Sequence, residues 1–254
     1  MLALIGPHAA HSPNADDMNT LYWVMLVVGL VLLIAVNFAV VAMVMRFRSA
    51  RGREPRRLVV RRQAQFGTAG LFAVLVAFMF VFGVIKAHDA KTVEASGPDG
   101  LQATSSLTAQ RSLDLPVTAA SSAPLQIRTC GQQWIWRYEY PDGTYSYYEL
   151  VVPVDTTVIL HLCSTDVVHR WWVPGLSPKM DATPGESNST WFKADETGIF
   201  DGASYAFSGA SYAVMRTRVR VVDVPTYQAW LEQQGADIQA AQKFVQEANG
   251  EPGA

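Results

Sequence analysis

The sequence predicts a membrane protein in which a two-helix transmembrane hairpin carries an extracytoplasmic all-β domain. Three observations support this fold class. The chain of 254 residues is 50% hydrophobic and only 17% charged, whereas about 25% of the residues of a soluble domain are usually charged. Two long stretches lack charge, and short β-branched and aromatic runs follow them. High apolar content, no Gly-X-Y repeat and only two Cys exclude a disordered chain, a collagen-like fibre and a disulfide-dense miniprotein.

The first 87 residues contain the predicted hairpin, with residues 1–20 as a separate N-terminal segment. Residues 21–45 carry no charge and one polar amide, Asn37. A helix of this length reaches about 38 Å, enough for a bilayer core of about 30 Å. Residues 66–85 form the second uncharged span. We expect Asn37 to bond to a neighbouring helix, because an amide in hydrocarbon needs a partner, and this indicates a larger complex.

Charge is sharply segregated along the chain. Residues 46–62, between the two spans, hold eight Arg and one Glu, a net charge of +7, whereas residues 88–254 hold 11 Lys and Arg and 19 Asp and Glu, a net charge of −8. A short basic loop between spans stays on the cytoplasmic side. We therefore expect both termini outside, in a bacterial-type plasma membrane or an equivalent energy-transducing membrane. The position of the Arg cluster between spans argues against nucleic-acid binding.

The remainder of the chain predicts a linker, a β-domain and a final helix. Residues 88–125 are rich in Ser, Ala, Thr and Gly, which favours a linker. Residues 126–223 contain short strand-like runs separated by turn signals, which is typical of a β-sandwich or barrel. These runs are 133–140, 145–152, 157–163, 170–173, 190–193 and 215–222. Residues 224–254 are expected to form a helix that packs on the β-domain, followed by a tail.

Four stretches resemble subunit II of the haem-copper respiratory oxidases. They are residues 12–17 before the first span, the aromatic-rich residues 133–140, residues 166–174 around a histidine, and residues 179–185. Their order after a two-helix hairpin makes the resemblance specific. It implies that residues 126–223 form a cupredoxin-like sandwich. It also implies a subunit of a terminal oxidase, an oxidoreductase complex, that is not catalytic by itself and has no catalytic residue of its own.

The family completes a dinuclear copper centre, CuA, with the motif Cys-x-Glu-x-Cys-Gly-x-x-His-x-x-Met. The corresponding positions here are Ser204, Ala206, Ser208 and Tyr212, and only Met215 and the upstream His169 remain. Soft sulfur ligands suit copper, and two neutral ligands do not hold a copper pair. We therefore expect no metal or cofactor in this chain, and haems and copper in subunit I. A mononuclear site at His169, Met215 and Tyr212 stays open, although we favour a structural role for these residues.

Several further residues are candidates for an interface with an electron donor. The resemblance places Trp134 where an electron from cytochrome c enters the copper centre, and Trp136 follows on the same run. Asp166, Asp181 and Glu139 could steer a basic cytochrome, since acidic patches attract basic partners. Aromatic packing and an ordinary solvated surface are the alternative interpretations of these residues, and we favour them.

The two cysteines and one amide complete the candidate residues. Cys130 and Cys163 form either a disulfide, which an oxidising compartment permits, or two buried free thiols, the interpretation that the sequence favours. Near the cytoplasmic start of the second span, the family has a glutamate at a proton-uptake entrance. This chain has Gln65 there.

The leading functional hypothesis follows from the resemblance and the lost ligands. Quinol oxidases of the family keep the sandwich without copper, so the chain is expected to support subunit I in quinol oxidation and oxygen reduction coupled to proton translocation. Subunit I, subunit III and membrane lipid are the expected partners. Three alternatives stay open: a subunit of a quinol-fed nitric oxide reductase, an oxidase with a cytochrome donor that bypasses CuA, and a non-redox scaffold or assembly protein of the respiratory chain.

Overall fold

A computed structural model describes residues 6–47, 62–101 and 124–248. The chain divides into two compact units. One unit contains residues 18–89, and the other contains residues 1–17 and 90–254. Most of the arginine-rich loop, residues 48–61, lies outside the described residues, as do residues 102–123 of the expected linker.

Two helices, α1 (Pro13–Phe47) and α2 (Arg62–Asp89), correspond to the predicted spans. Both are long and apolar enough to cross a bilayer. Residues 13–20, predicted as part of a separate segment, are helical, because proline suits the first turn of a helix and Asp16 complements its N-terminal dipole. Asn37 Nδ2 donates to Leu33 O of its own helix at 2.7 Å. This bond uses one of the two amide hydrogens of Asn37, and the expected bond to a neighbouring helix stays a prediction.

In the described part of the chain, ten strands form two five-stranded sheets. The first sheet has the order β3-β2-β1-β5-β8 and the second has the order β4-β10-β9-β6-β7. Within them, β1 pairs with β5 and β4 with β10 in parallel, and the other pairs are antiparallel. The strands are β1 (Leu125–Gln132), β2 (Ile135–Glu139), β3 (Tyr145–Tyr147), β4 (Glu149–Pro153), β5 (Thr157–Ser164), β6 (His169–Trp172), β7 (Met180–Ala182), β8 (Asn188–Lys193), β9 (Gly198–Ser204) and β10 (Arg216–Val222).

The predicted strand runs match six regions of the sandwich, with two differences. The run 145–152 is two strands, β3 and β4, which lie in different sheets. Tyr148, between them, has a positive φ of 66°, and this turn moves the chain from one sheet to the other. Sequence analysis also missed β1, β7 and β9, because their runs contain glycine, cysteine, aspartate or small residues that weaken the strand pattern.

The core lies between the inward faces of the two sheets. In β1 and β2 alternate residues are buried, which is the period of two that a half-buried strand requires. Trp171 Nε1 donates to the hydroxyl oxygen of Tyr138 at 3.0 Å, and that hydroxyl also bonds to Thr217. The largest fully buried side chains include Trp136, Tyr138, Leu150, Leu160, Trp171 and Phe192.

Both chain segments that adjoin the membrane helices dock on the outer strand β8. Asn14 Nδ2 donates to Trp191 O at 2.8 Å, and Trp191 Nε1 donates to Ala90 O at 2.9 Å. Val93 is fully buried in a small apolar cluster with Ile159 and Trp191. Thr157 adds two bonds, from its N to Ser96 Oγ at 3.0 Å and from its Oγ1 to Glu94 O at 2.7 Å. The beginning of the expected linker is therefore an ordered part of the sandwich.

The last helix, α3 (Val224–Ala248), packs on the sandwich through its first half. Tyr227 is buried, and Trp230 and Leu231 pack against the core. Gln234 Nε2 donates to Tyr145 O at 3.2 Å. From residue 239 onward the helix is exposed. The predicted packing of this helix on the β-domain is confirmed for its N-terminal half.

Cys130 and Cys163 form a disulfide between β1 and β5. The two residues lie opposite each other in the parallel register, and their Cα atoms are 4.6 Å apart. The interpretation that favoured free thiols was wrong. The register of two strands that are distant in sequence brings the thiols together, and sequence spacing does not reveal that register.

Candidate functional site

His169 begins β6 and is fully buried at one end of the core. Its Nε2 lies 2.9 Å from Asp166 Oδ1. An ionised carboxylate only accepts hydrogen bonds, so Nε2 carries the proton and donates it. The other ring nitrogen, Nδ1, has no hydrogen-bond partner among the described residues. The imidazole is thus held in one orientation by a carboxylate.

The other positions that correspond to copper ligands lie around β9 and the loop after it. Ser204 is the last residue of β9, and its Oγ accepts a bond from Arg170 N at 3.2 Å. The hydroxyl of Ser208 is buried without a hydrogen-bond partner in the described part of the chain. Ala206 offers no donor atom. Tyr212 is 38% exposed, and its ring contacts Phe207 at a centroid distance of 5.3 Å.

The sheet register brings some of these positions together. Ser204 lies opposite Trp171 on β6, and Ser204 N donates to Met215 O at 2.9 Å. His169 is two residues before Trp171, so both side chains point to the same, inward face. Met215 is fully buried. The structure therefore places His169, Ser204 and Met215 at one end of the inward face of the second sheet, whereas Tyr212 lies at the surface.

Close approach at this end of the core depends on Gly131 of β1. A Cβ atom on Gly131 would lie 2.8 Å from His169 Cδ2 and 3.1 Å from Trp136 Cζ3. The rings of Trp136 and His169 meet edge to face, with centroids 5.9 Å apart. A residue larger than glycine at position 131 would displace the His169 imidazole. The close packing of the imidazole against β1 therefore requires glycine at this position.

Asp166 lies in the loop before β6, and its carboxylate accepts four hydrogen bonds, one of them from Ser164 Oγ at 3.3 Å. Burial acts to raise the pKa of this carboxyl, but bonds from His169 Nε2, Gln133 N and Val167 N outweigh it and hold the pKa below its ordinary value. Asp166 is therefore ionised at neutral pH. The carboxylate binds the His169 imidazole and two backbone N–H groups. Asp166 was a candidate for docking a cytochrome, and these bonds give it a structural role.

The two candidate tryptophans have different environments. Trp134 is 38% exposed and its Nε1 donates to Ser208 O at 3.1 Å, so it remains available at the surface. Trp136 is fully buried. The prediction that Trp136 belongs to an interface was wrong, because the alternation of β2 turns its side chain into the core while that of its neighbour Ile135 faces out.

The remaining acidic candidates are paired within the sandwich. Arg170 Nη2 donates to Asp181 Oδ2 at 2.9 Å, and this bond from the guanidinium holds the pKa of Asp181 below its ordinary value. Glu139 pairs with both Arg128 and Arg137, at 3.0 and 2.9 Å. Each of these carboxylates faces a cation, which reduces the negative field available to attract a basic partner.

Sequence reasoning assigned no role to Gln133 or Gly209. Gln133 Nε2 donates to Ser208 O at 2.7 Å, and Gln133 N donates to Asp166 Oδ2 at 2.7 Å. Gly209 adopts a φ of +106°, which disfavours any other residue. The pair Ser208-Gly209 was the one sequence signal for a tight turn here. Nothing in the sequence indicated that the Gln133 side chain would bond to the Ser208 carbonyl.

Comparison with known proteins gives a consistent result. Residues 145–222 match the family model described as cytochrome c oxidase subunit II, periplasmic domain. Cytochrome c oxidase subunit 2 of Cereibacter sphaeroides is 32% identical over 150 residues, which cover 44% of this chain and 50% of the relative. The same subunit of Thermostichus vulcanus is 28% identical over 254 residues, covering 89% of this chain and 77% of the relative.

The β-domain of this chain is therefore similar to the periplasmic domain of cytochrome c oxidase subunit II. It also matches the crystal structure of the periplasmic domain of cytochrome oxidase subunit II from Bradyrhizobium japonicum, with 32% identity, a TM-score of 0.44, and coverage of 46% of this chain and 96% of that one. The chain spans about half the length of the Cereibacter relative and 33% of the relative from Alkalihalophilus pseudofirmus. The predicted two apolar helices and the predicted β-sandwich are confirmed by the structure.

Proposed function

We propose that this chain is a subunit II without the dinuclear copper centre, in a haem-copper oxidase that receives its electrons from quinol. One observation carries the proposal: serine stands at both positions where the family motif has bridging thiolates. The only two cysteines of the chain are Cys130 and Cys163, and they are bonded to each other on different strands.

The donor atoms present do not suit a pair of copper ions. Thiolate sulfur is the soft ligand that copper electron-transfer sites use. The serine hydroxyls that replace it are neutral, and Ser204 Oγ already accepts a backbone bond. Tyr212 stands where the second imidazole would be, with its ring against Phe207 at the surface. His169 and Met215 remain as two neutral donors, which is too few for two metal ions.

A subunit II without a copper centre transfers no electrons itself, and its role in the complex is structural support of subunit I. Electrons from quinol would then pass directly to haems in subunit I, and oxygen reduction and proton translocation would take place there. The apolar surfaces of α1 and α2 suit contact with subunit I, subunit III and membrane lipid. The asymmetry of charge around the spans supports an orientation with both termini and the sandwich outside. Gln65 in the first turn of α2 offers no carboxylate for proton uptake.

Metal analysis of the purified complex tests the loss of the copper centre. We expect copper only at the level of the catalytic copper of subunit I, and no near-infrared absorption band of a mixed-valence copper pair. Two further copper ions with that band would contradict the proposal. A chain that purifies without any haem-bearing subunit would instead favour a scaffold.

Turnover with different donors tests the source of electrons. We expect the complex to consume oxygen with a short-chain quinol and to do so slowly with reduced cytochrome c. Fast turnover with cytochrome c and none with quinol would contradict the quinol assignment, even if the copper centre is absent.

A further inference from the structure

We infer that hydrogen bonds replace a metal as the link that holds the loop 205–214 between β9 and β10. Gln133, Trp134 and Asp166 make these bonds, and we call the three residues the clamp. The inference rests on the proposed absence of the dinuclear copper centre. In a copper-containing relative the metal would tie this loop to β6. Here the same segments are tied by side-chain hydrogen bonds from the turn between β1 and β2.

The clamp binds the loop at the carbonyl oxygen of Ser208. Gln133 Nε2 donates to Ser208 O at 2.7 Å, and Trp134 Nε1 donates to the same oxygen at 3.1 Å. A carbonyl oxygen has two lone pairs, so the two donors use its full capacity. Both bonds are half-buried, which strengthens them relative to bonds in water.

The same glutamine reaches the loop before β6 through its main chain. Gln133 N donates to Asp166 Oδ2 at 2.7 Å, and the other oxygen of that carboxylate accepts the His169 Nε2 proton at 2.9 Å. Bonds to an ionised carboxylate are about twice as strong as bonds between neutral groups. Gln133 therefore connects three segments that are distant in sequence: the β1–β2 turn, the approach to β6 and the loop 205–214.

The loop is shaped to receive the clamp. A Cβ atom on Gly209 would lie 2.8 Å from Gln133 Nε2 and 3.3 Å from Trp134 Cζ2. The positive φ of Gly209 turns the chain at this point. Without the glycine, the two donors could not approach the Ser208 carbonyl as closely. The absence of a side chain at residue 209 is thus explained by the clamp itself.

Hydrogen–deuterium exchange of the purified complex tests the clamp. The variant Gln133→Glu keeps the size of the side chain but replaces the N–H donor with an oxygen, and Gln132→Glu makes the same change of charge at the adjacent exposed residue. We expect amides of 205–214 to exchange about tenfold faster in Gln133→Glu, and at the wild-type rate in Gln132→Glu. The exchange rate of β5 amides should equal the wild-type rate in both variants, and this control shows that the sandwich is folded.

A second arm exposes the wild-type complex to a strong copper chelator. We expect no change in exchange of residues 205–214. Faster exchange after chelation would show that a metal holds the loop and would overturn the clamp, as would equal exchange in the two glutamate variants. If a mixed-valence copper band is present and chelation leaves the exchange of residues 205–214 unchanged, the proposed function fails. The hydrogen bonds then hold the loop beside a metal and do not replace one.

Discussion

Tyr138 and Tyr140 carry their hydroxyl groups into the core of the sandwich. Tyr140 donates to Val151 O at 3.0 Å and accepts from Val151 N at 2.9 Å. Burial raises the pKa of both phenols above the ordinary value of 10.0, since a phenolate in the core would lose its hydration. Burial also raises the pKa of Tyr227 at the start of α3.

These tyrosines predict a loss of stability in alkali. Above pH 10 the phenols ionise in the unfolded chain but stay protonated in the folded one, so the free energy of unfolding is complete below that pH and falls as pH rises. Each buried tyrosine contributes a slope of about 1.4 kcal/mol per pH unit. Urea unfolding at increasing pH should therefore show a shallower slope for Tyr138→Phe than for wild type. Tyr147→Phe, at a position that is 49% exposed, should follow wild type; equal slopes for all three would contradict the prediction.

Trp191 of β8 contacts both segments that adjoin the membrane helices, through bonds with Asn14 and Ala90. Trp191→Phe keeps most of the ring but removes the N–H bond to Ala90 O, and it should cost about 1 kcal/mol of unfolding free energy. Trp191→Ala should cost about 3 to 5 kcal/mol, because it also empties the cluster with Val93 and Ile159. Thermal unfolding with protease digestion of residues 90–101 measures both effects. Unchanged protection in the alanine variant would show that these residues dock by other contacts.

At the scale of elements, the disulfide joins β1 to β5 across a loop of 33 residues. Closing a loop of that size in the unfolded chain predicts a stabilisation of about 3 to 4 kcal/mol. The double variant C130A/C163A should lose about this amount in urea unfolding, and wild type with a reductant should behave like the variant. The variant itself should not respond to the reductant. A wild-type chain that is insensitive to both changes would mean that the bridge adds no stability.

For the whole molecule, the charge pattern along the sequence, +7 in residues 46–62 and −8 in residues 88–254, predicts a cytoplasmic loop and an outer sandwich. A membrane-impermeant thiol reagent on intact cells should label Ser187→Cys, an exposed residue of the sandwich, and should not label Ser49→Cys in the arginine-rich loop. Both variants should be labelled after the membrane is broken. Labelling of Ser49→Cys alone in intact cells would reverse the orientation.

Local patterns determined the broad architecture because their physical causes are local. An uncharged stretch of 20 or more residues forms a membrane helix whatever it later contacts, and a +7 loop has one preferred side of the bilayer. Serine in place of cysteine is a change of chemistry that the sequence alone reveals. The two spans, the β-domain, the resemblance to subunit II and the altered copper motif at Ser204 and Ser208 were predictable for these reasons.

Only the tertiary structure decided which distant residues meet. The inward direction of Trp136, the bond between Cys130 and Cys163, and the reach of Gln133 to the Ser208 carbonyl all depend on strand register. Register is set by the packing of whole sheets, and a shift of one residue reverses the face of every side chain on a strand. The sequence of this chain predicts its two apolar spans and places serine at residues 204 and 208, and the packing of its two sheets decides how the segments around these serines are held together.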